Sequence, residues 1–286
     1  MMVQHRRVNV GRLTLHVAEL GEGEPVLLVH GFPSYWEDWR EQMEALAARG
    51  FRAIAFDLPG YGESDQLPGV LDYRSTLLAA DIAGLIRALA LPRVHVLGHD
   101  WGGTLAYCLA AEHPELVHKL IVLNAGHPEL FRRALQRFEQ LRRSWYMFLF
   151  QLPWLPEWLL KRRAALSLAL RGMEVRVGAF SDADLDRHVA VMRLPGVAHA
   201  ALSYYRAAFR APVRARRTVQ QPTLVLWGNQ DQALSAQLLL TGLAEHVPNV
   251  RIQRFEHAGH WVHRDVPESV TGHVVEFLRA TGPDQS

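Results

Sequence analysis

Short apolar runs recur along the chain and alternate with stretches of helical spacing. A continuous apolar run is typical of a strand that is buried on both faces of a sheet. Helical periodicity follows between the runs, notably over Leu77 to Leu89 and Gly103 to Glu112. The predicted strands are Leu13 to Val17, Val26 to Val29, Ala53 to Phe56, Val94 to Leu97, Leu120 to Leu123, Thr223 to Leu226 and Val250 to Phe255. This alternation predicts an α/β fold with a mostly parallel central sheet and helices on both faces.

The alternation is interrupted between Pro128 and Arg217. No β-branched apolar run occurs there, whereas Leu, Ala, Arg and aromatic residues recur at helical spacing between several prolines. We therefore predict an inserted helical cap over residues 128–217, which divides the core into residues 1–127 and 218–286. The core resumes after the cap and closes with an amphipathic helix near Glu268 to Arg279.

Composition and charge narrow the class of protein only slightly. The chain has 49% hydrophobic and 21% charged residues and a formal net charge of +2, as a globular enzyme does. Lys and Arg form no long run interleaved with aromatic residues, so nucleic-acid binding is not predicted. No window approaches membrane-spanning length. The single Cys108 suits a reducing compartment. We expect a soluble cytoplasmic protein that does not bind membranes, and a homodimer is left open.

The segment Gly98-His99-Asp100-Trp101-Gly102 follows a predicted strand and opens a predicted helix. This is the context of a nucleophile elbow, where glycines accommodate a strained turn and a close approach of strand and helix. Asp100 stands where serine is usual. A carboxylate can attack an electrophilic sp3 carbon and form an alkyl ester with the enzyme. Asp100 is therefore the predicted nucleophile of a hydrolase, the alternative being a Gly-rich turn with an acidic residue near a helix start.

Water must then cleave that ester, which requires a base and an acid that orients it. His260 follows the last predicted strand, after Gly259, which lets the loop turn, and is the predicted base. Asp231 lies just beyond the strand over Thr223 to Leu226 and is the predicted acid, with Glu129 as the reserve. An Asx turn after the strand is the alternative for Asp231.

The spacing of His257, His260 and His263 does not predict a metal site, because no Cys or carboxylate cluster accompanies these residues. His257 and His263 are interpreted as loop or surface residues. The proposed ester chemistry needs no metal and no organic cofactor.

The loop His30-Gly31-Phe32-Pro33 follows the predicted strand over Val26 to Val29. The backbone N–H of Phe32 can pair with that of Trp101 to form an oxyanion hole for the tetrahedral intermediate. We also expect Phe32 and Trp101 to contact the substrate. A tight loop with purely structural Gly and Pro is the alternative for this segment.

Together the motifs resemble the α/β-hydrolase superfamily, specifically its Asp-nucleophile branch of epoxide hydrolases and haloalkane dehalogenases. The resemblance spans nearly the whole chain outside the cap. It rests on His30-Gly31-Phe32-Pro33, Asp57-Leu58-Pro59-Gly60-Tyr61-Gly62, Gly98-His99-Asp100-Trp101-Gly102-Gly103, Trp227-Gly228 through Asp231, and Gly259-His260-Trp261. It implies the α/β-hydrolase fold with an inserted cap.

The resemblance does not by itself identify the substrate, which depends on the residues of the cap. An epoxide oxygen becomes an alkoxide and needs a proton or hydrogen bond, and epoxide hydrolases resemble one another in two cap tyrosines over the nucleophile. Tyr146 and Tyr205 stand at the matching positions, and Tyr204 is the neighbour that could be confused with Tyr205. Trp145 is expected to contact the substrate. The favoured interpretation is an epoxide hydrolase that uses water to convert a small hydrophobic epoxide into a vicinal diol.

Other functions remain open at this point. A haloalkane dehalogenase would use the same nucleophile and needs N–H donors for the halide, which Trp145, Trp154 or Trp158 could supply. A fluoroacetate-type dehalogenase would be expected to carry arginines for the substrate carboxylate shortly after the elbow. The run from Trp101 to Tyr107 contains none, so this function is disfavoured. A non-catalytic ligand-binding relative is the alternative from another class, and it would leave Asp100 and His260 without a role.

Overall fold

The computed structural model describes residues 2–212 and 218–280, and within them eight strands form one sheet. The strands are β1 (Gln4–Asn9), β2 (Thr14–Leu20), β3 (Glu24–Val29), β4 (Phe51–Phe56), β5 (Val94–His99), β6 (Val117–Leu123), β7 (Thr223–Gly228) and β8 (Val250–Phe255). Their order is β1-β2-β4-β3-β5-β6-β7-β8. β2 is antiparallel to β1 and β4, and the remaining neighbours pair in parallel. The predicted mostly parallel sheet is confirmed.

Helices cover both faces of the sheet. They are α1 (Arg40–Ala47), α2 (Ser75–Ala88), α3 (Trp101–Glu112), α4 (Pro128–Ala134), α5 (Phe138–Arg143), α6 (Tyr146–Leu149), α7 (Leu155–Leu160), α8 (Arg163–Leu170), α9 (Asp182–Arg193), α10 (Val197–Arg210), α11 (Ala236–Leu240), α12 (Val262–Asp265) and α13 (Pro267–Arg279). Successive residues of β3 point to opposite faces of the sheet. Leu27 packs with α2 and α3 on one face, and Leu28 packs with α1 and α13 on the other. None of the helices within the described residues has the length and apolar character needed to cross a bilayer.

The helices α4 to α10 lie between β6 and β7, where the sequence predicts a helical insertion. Helix α4 begins at Pro128, and the last described helix before β7, α10, ends at Arg210. The predicted end at Arg217 lies outside the described residues. α10 packs against the core, where the hydroxyl of Tyr204 donates a hydrogen bond to the carbonyl of Pro59 at 2.8 Å. This contact fixes the rotation of α10 over the carboxyl ends of the strands.

The edge strand β1 was not predicted. Of its six residues only Val8 is buried, and the others are polar or exposed, so no apolar run marks it. Its pairing with β2 over Gln4 to Asn9 supplies backbone hydrogen bonds that the side-chain pattern does not reveal.

Candidate active site

Asp100 lies at the sharp turn between β5 and α3, and its φ is 52°. Positive φ is uncommon for a residue with a side chain and marks a constrained turn. The flanking glycines are required by space, since a Cβ on Gly98 would lie 2.5 Å from the carbonyl oxygen of Gly102. A Cβ on Gly102 would collide with the carbonyl oxygen of Val29. The turn therefore has the geometry that the sequence predicts for a nucleophile elbow.

The loop after β3 meets the carboxylate of Asp100. The backbone N–H of Phe32 donates to Oδ1 of Asp100 at 2.8 Å. Gly31 is constrained here, because a Cβ on it would lie 2.5 Å from the same oxygen. Burial raises the pKa of Asp100 above its ordinary value, while His260 and the backbone N–H groups of Phe32 and Trp101 act in the opposite direction. The two predicted oxyanion donors therefore both face this carboxylate.

The structure brings His260 and Asp231 to Asp100. Nε2 of His260 lies 3.6 Å from Oδ2 of Asp100, and Nδ1 of His260 donates to Oδ2 of Asp231 at 2.9 Å. Burial lowers the pKa of His260, but the charge and hydrogen bond of Asp231 and the charge of Asp100 outweigh it, so the pKa lies above its ordinary value. A ring held by one carboxylate and directed at another can take a proton beside Asp100.

The carboxylate of Asp231 is fully engaged. Besides His260, its Oδ2 accepts a hydrogen bond from the side-chain amide of Asn124 at 2.8 Å. Its Oδ1 accepts from the backbone N–H groups of Ala233 and Leu234 at 2.8 and 2.9 Å. Asn124 is not among the predicted site residues, although it carries the same signal as Asp100, a polar residue directly after a buried strand.

Helix α5 of the insertion holds the loop that carries Asp231. The guanidinium of Arg143 donates to the carbonyl of Asp231 at 2.7 Å. The side-chain amide of Gln140 donates to the carbonyl of Ala233 at 2.7 Å and accepts from the N–H of Ser235 at 2.9 Å. We call these three hydrogen bonds the α5 clamp. No local sequence signal indicates these contacts, because they join residues that are far apart in the chain.

Tyr146 from α6 and Tyr205 from α10 face Asp100. Their ring centroids are 6.0 Å apart, and the ring of Tyr205 stands perpendicular to that of Trp101 at 5.2 Å. Burial raises the pKa of both tyrosines well above its ordinary value, and the charge of Asp100 adds to the shift. Both hydroxyls are therefore protonated at neutral pH and can donate hydrogen bonds. Tyr204 instead points to the core.

These groups share one small cavity of about 60 Å³. Its polar groups are few, and most of its wall is apolar. The lining residues are Asp100, Trp101, Thr104, Ala125, Gly126, Phe131, Tyr146, Met147, Tyr205 and Leu234. A cavity with an apolar wall and a few convergent polar groups is the usual form of a small-molecule site.

Two residues singled out by the sequence lie elsewhere. Trp145 is 61% exposed and does not line the cavity, so the expectation that it contacts the substrate is corrected. The physical reason is that neighbouring residues of a helix point about 100° apart, and Tyr146 takes the inward direction. Glu129, the reserve acid, pairs with Arg132 and Arg133 at 2.6 and 3.1 Å and not with His260.

Comparison with known proteins places this geometry in a family. The model of the alpha/beta hydrolase fold matches residues 24–265. The chain is 34% identical to the AB hydrolase superfamily protein YfhM of Bacillus subtilis (strain 168), over 95% of this chain and 96% of that protein. It is 37% identical to Epoxide hydrolase 3 of Xenopus tropicalis, over 89% of this chain and 71% of that protein.

Solved structures show the same relationship. The epoxide hydrolase of Bacillus megaterium in complex with an inhibitor matches with a TM-score of 0.88 at 29% identity, covering 97% of this chain and 100% of that chain. Epoxide hydrolase I of potato (Solanum tuberosum) matches with a TM-score of 0.85 at 26% identity, covering 97% and 99%. The chain therefore belongs to the α/β-hydrolase superfamily and lies close to the epoxide hydrolases within it.

Proposed function

We propose that the protein is an epoxide hydrolase, which adds water to an epoxide and releases a vicinal diol. The observation that carries the proposal is that Asp100, Tyr146 and Tyr205 line the same cavity. A nucleophile on one side and two hydroxyl donors on the other match the two ends of a carbon–oxygen bond that has to break. Relatives and solved structures that are named epoxide hydrolases support this assignment.

In the first step, a carboxylate oxygen of Asp100 attacks a ring carbon and forms an ester. The bond between that carbon and the ring oxygen breaks, and the developing alkoxide accepts a hydrogen bond and then a proton from Tyr146 or Tyr205. The tyrosines act as donors because their pKa values keep them protonated.

In the second step, Nε2 of His260 takes a proton from water, and the resulting hydroxide attacks the carbonyl carbon of the ester. The N–H groups of Phe32 and Trp101 stabilise the negative oxygen of the tetrahedral intermediate. Collapse of this intermediate releases the diol and restores the carboxylate of Asp100, and the proton on His260 returns to the tyrosinate through solvent. Asp231 orients the imidazole and stabilises its protonated form.

We further propose that residues 128–217 act as the cap of the site. The cap supplies both tyrosines, and the core supplies Asp100, His260 and Asp231. The cavity of about 60 Å³ is small beside the several hundred Å³ of pockets for drug-sized ligands. With its apolar wall, it favours a small hydrophobic epoxide.

A haloalkane dehalogenase is the second candidate, and the position of the tryptophans disfavours it. Trp101 lines the cavity, but Trp145, Trp154 and Trp158 are exposed on the insertion and point away from it. Of these four indoles, only that of Trp101 could donate a hydrogen bond to a leaving halide. An alkoxide could accept hydrogen bonds from two tyrosine hydroxyls.

Tyr146→Phe and Tyr205→Phe test the proposed function in a parallel assay with styrene oxide and a bromoalkane. We expect the wild-type chain to form diol without releasing bromide from the bromoalkane. Each variant should lower kcat for diol formation about 100-fold, because one donor to the ring oxygen is lost. Diol is measured by chromatography and bromide by an ion-selective electrode.

Tyr204→Phe is the matched control for these variants. It removes the hydrogen bond to Pro59 and should cost about 1 kcal/mol of stability while leaving kcat unchanged. Bromide release by the wild-type chain, without any diol from styrene oxide, would replace the epoxide by a haloalkane as the substrate.

The pH profile of kcat provides a separate test of His260. Only the unprotonated ring accepts a proton from water, so activity should be low at acidic pH and rise with pH. In the ester Asp100 is uncharged, so the midpoint of this limb in kcat reports His260 as set by burial, which lowers its pKa, and by Asp231, which raises it. Glu129→Gln should leave the midpoint in place, since Glu129 does not contact His260. A kcat that does not fall at acidic pH would contradict the assignment of His260 as the base.

A further inference from the structure

Three potential metal ligands lie together at the end of the sheet opposite Asp100. Glu24 is the first residue of β3, and His95 and His118 are the second residues of β5 and β6. These three strands are parallel neighbours, so their amino ends share one edge of the sheet. His95 precedes Asp100 by five residues, which is about 16 Å along a strand. The cluster is therefore separate from the candidate active site.

A β-bulge brings the two histidines together. Val94 pairs with Val117 and Val96 pairs with Leu120, so His95 faces two residues of β6, one of which is His118. An extra residue in one strand changes the direction of a side chain. As a result, the imidazole rings of the two histidines stack, with centroids 4.8 Å apart.

His95 is the fixed member of the cluster. Its side chain is 1% exposed, its Nε2 faces the carboxylate of Glu24, and its Nδ1 has no hydrogen-bond partner within the described part of the chain. Imidazole is the commonest metal ligand in proteins, and burial holds this ring in place at the cluster.

The carboxylate of Glu24 faces both histidines. Oε1 of Glu24 lies 2.8 Å from Nε2 of His95 and 3.4 Å from Nδ1 of His118. The nearby ammonium of Lys119 is directed away, because it donates to the carbonyls of residues 277, 278 and 280 at 2.7 to 2.9 Å. The ammonium therefore does not compete with the histidines for the carboxylate of Glu24.

We propose that Glu24, His95 and His118 form a Zn²⁺ site with two imidazole ligands, one carboxylate ligand and water. This donor set is one that zinc uses in proteins. The three ligand atoms lie within 4.8 Å of one another, and tetrahedral zinc separates its ligands by roughly 3.4 Å. Glu24 and His118 are 49% and 47% exposed, so their side chains can turn and the stacked rings can tilt to meet one ion. The ion connects three central strands and stabilises the fold.

The test uses the full chain without a histidine tag, stripped of metal with a chelator and titrated with Zn²⁺ in a calorimeter. We expect one high-affinity ion per chain. At about 100 times Kd, zinc should raise Tm by roughly 5 °C. Glu24→Gln and His118→Ala change half-exposed side chains, so both variants should fold, and each should weaken zinc binding by at least about 100-fold.

His113→Ala is the matched control, because His113 also lies near a carboxylate, Glu115, but outside the cluster. It should bind zinc as the wild-type chain does. Absence of binding to the wild-type chain, or equal binding by Glu24→Gln, His118→Ala and wild type, would overturn the site. Stripped protein should retain its turnover of styrene oxide, and a turnover that depends on zinc would place the ion elsewhere. Zinc binding and epoxide hydrolysis are thus tested independently.

Discussion

Asp100→Asn should abolish diol formation, with kcat lowered by at least about 10,000-fold. The amide has nearly the size of the carboxylate, and its oxygen can still accept the hydrogen bond from Phe32. It cannot form the alkyl ester, because a neutral amide is a very weak nucleophile toward an sp3 carbon. Turnover is measured as diol formed from styrene oxide, on freshly prepared variant so that deamidation does not restore aspartate.

The same variant should not lose stability, which separates a chemical defect from misfolding. Burial raises the pKa of Asp100, so the folded state disfavours its charged form. Removing that charge should leave Tm equal to or above that of the wild-type chain at neutral pH. Asp65→Asn is a control for the same chemical change at a carboxylate outside the site. Undiminished turnover by Asp100→Asn would remove Asp100 from the mechanism.

His260→Gln should separate the two chemical steps. Ester formation does not require a base, whereas ester hydrolysis does, so the variant should form the ester and then stop. We expect steady-state turnover to fall by about 1,000-fold or more while the first ester forms at a measurable rate. Mass spectrometry of a digest should show the mass of one added substrate on the peptide that contains Asp100.

His257→Gln is the control for this variant, because His257 lies in the same loop, three residues earlier, and is exposed. It should turn over normally and accumulate no ester. If His260→Gln turned over at the wild-type rate, another group would have to activate the water. An adduct on a different peptide would move the nucleophile away from the elbow.

The fold could be predicted because most strands are buried on both faces and therefore appear as apolar runs. The run over Val26 to Val29 is an example, since successive residues pack on opposite faces. β1 lies at the edge and has no such run. Its existence depends on pairing with β2, which is a long-range property of the fold.

The sequence likewise predicts some residues of the candidate site and not others. Asp100, Asp231 and His260 come within five residues of the ends of β5, β7 and β8, so parallel topology places them at one end of the sheet. Asn124 also lies at this end of the sheet, directly after β6, and is not among the predicted residues. Trp145, expected to contact the substrate, is exposed, because the sequence does not fix the direction of a side chain at the start of a four-residue helix.

Contacts between distant segments left no sequence signal. Gln140 and Arg143 act on a loop that follows them by about 90 residues. His95 and His118 meet only because of a bulge between their strands. Such contacts depend on tertiary geometry, which the order of residue types does not encode locally.

The α5 clamp links the start of α6, which carries Tyr146, to the loop that carries Asp231. Tyr146 follows Arg143 by three residues, and Arg143 and Gln140 are tied to the Asp231 loop by the clamp. Lifting α5 would break hydrogen bonds of buried groups, whereas α7 and α8 have no comparable bonds to this loop among the described residues. Asp231, the proposed orienting acid, and Tyr146, a proposed proton donor, are thus held relative to each other by α5. A movement of the insertion that broke the clamp would therefore also disturb the alignment of Tyr146 with Asp231.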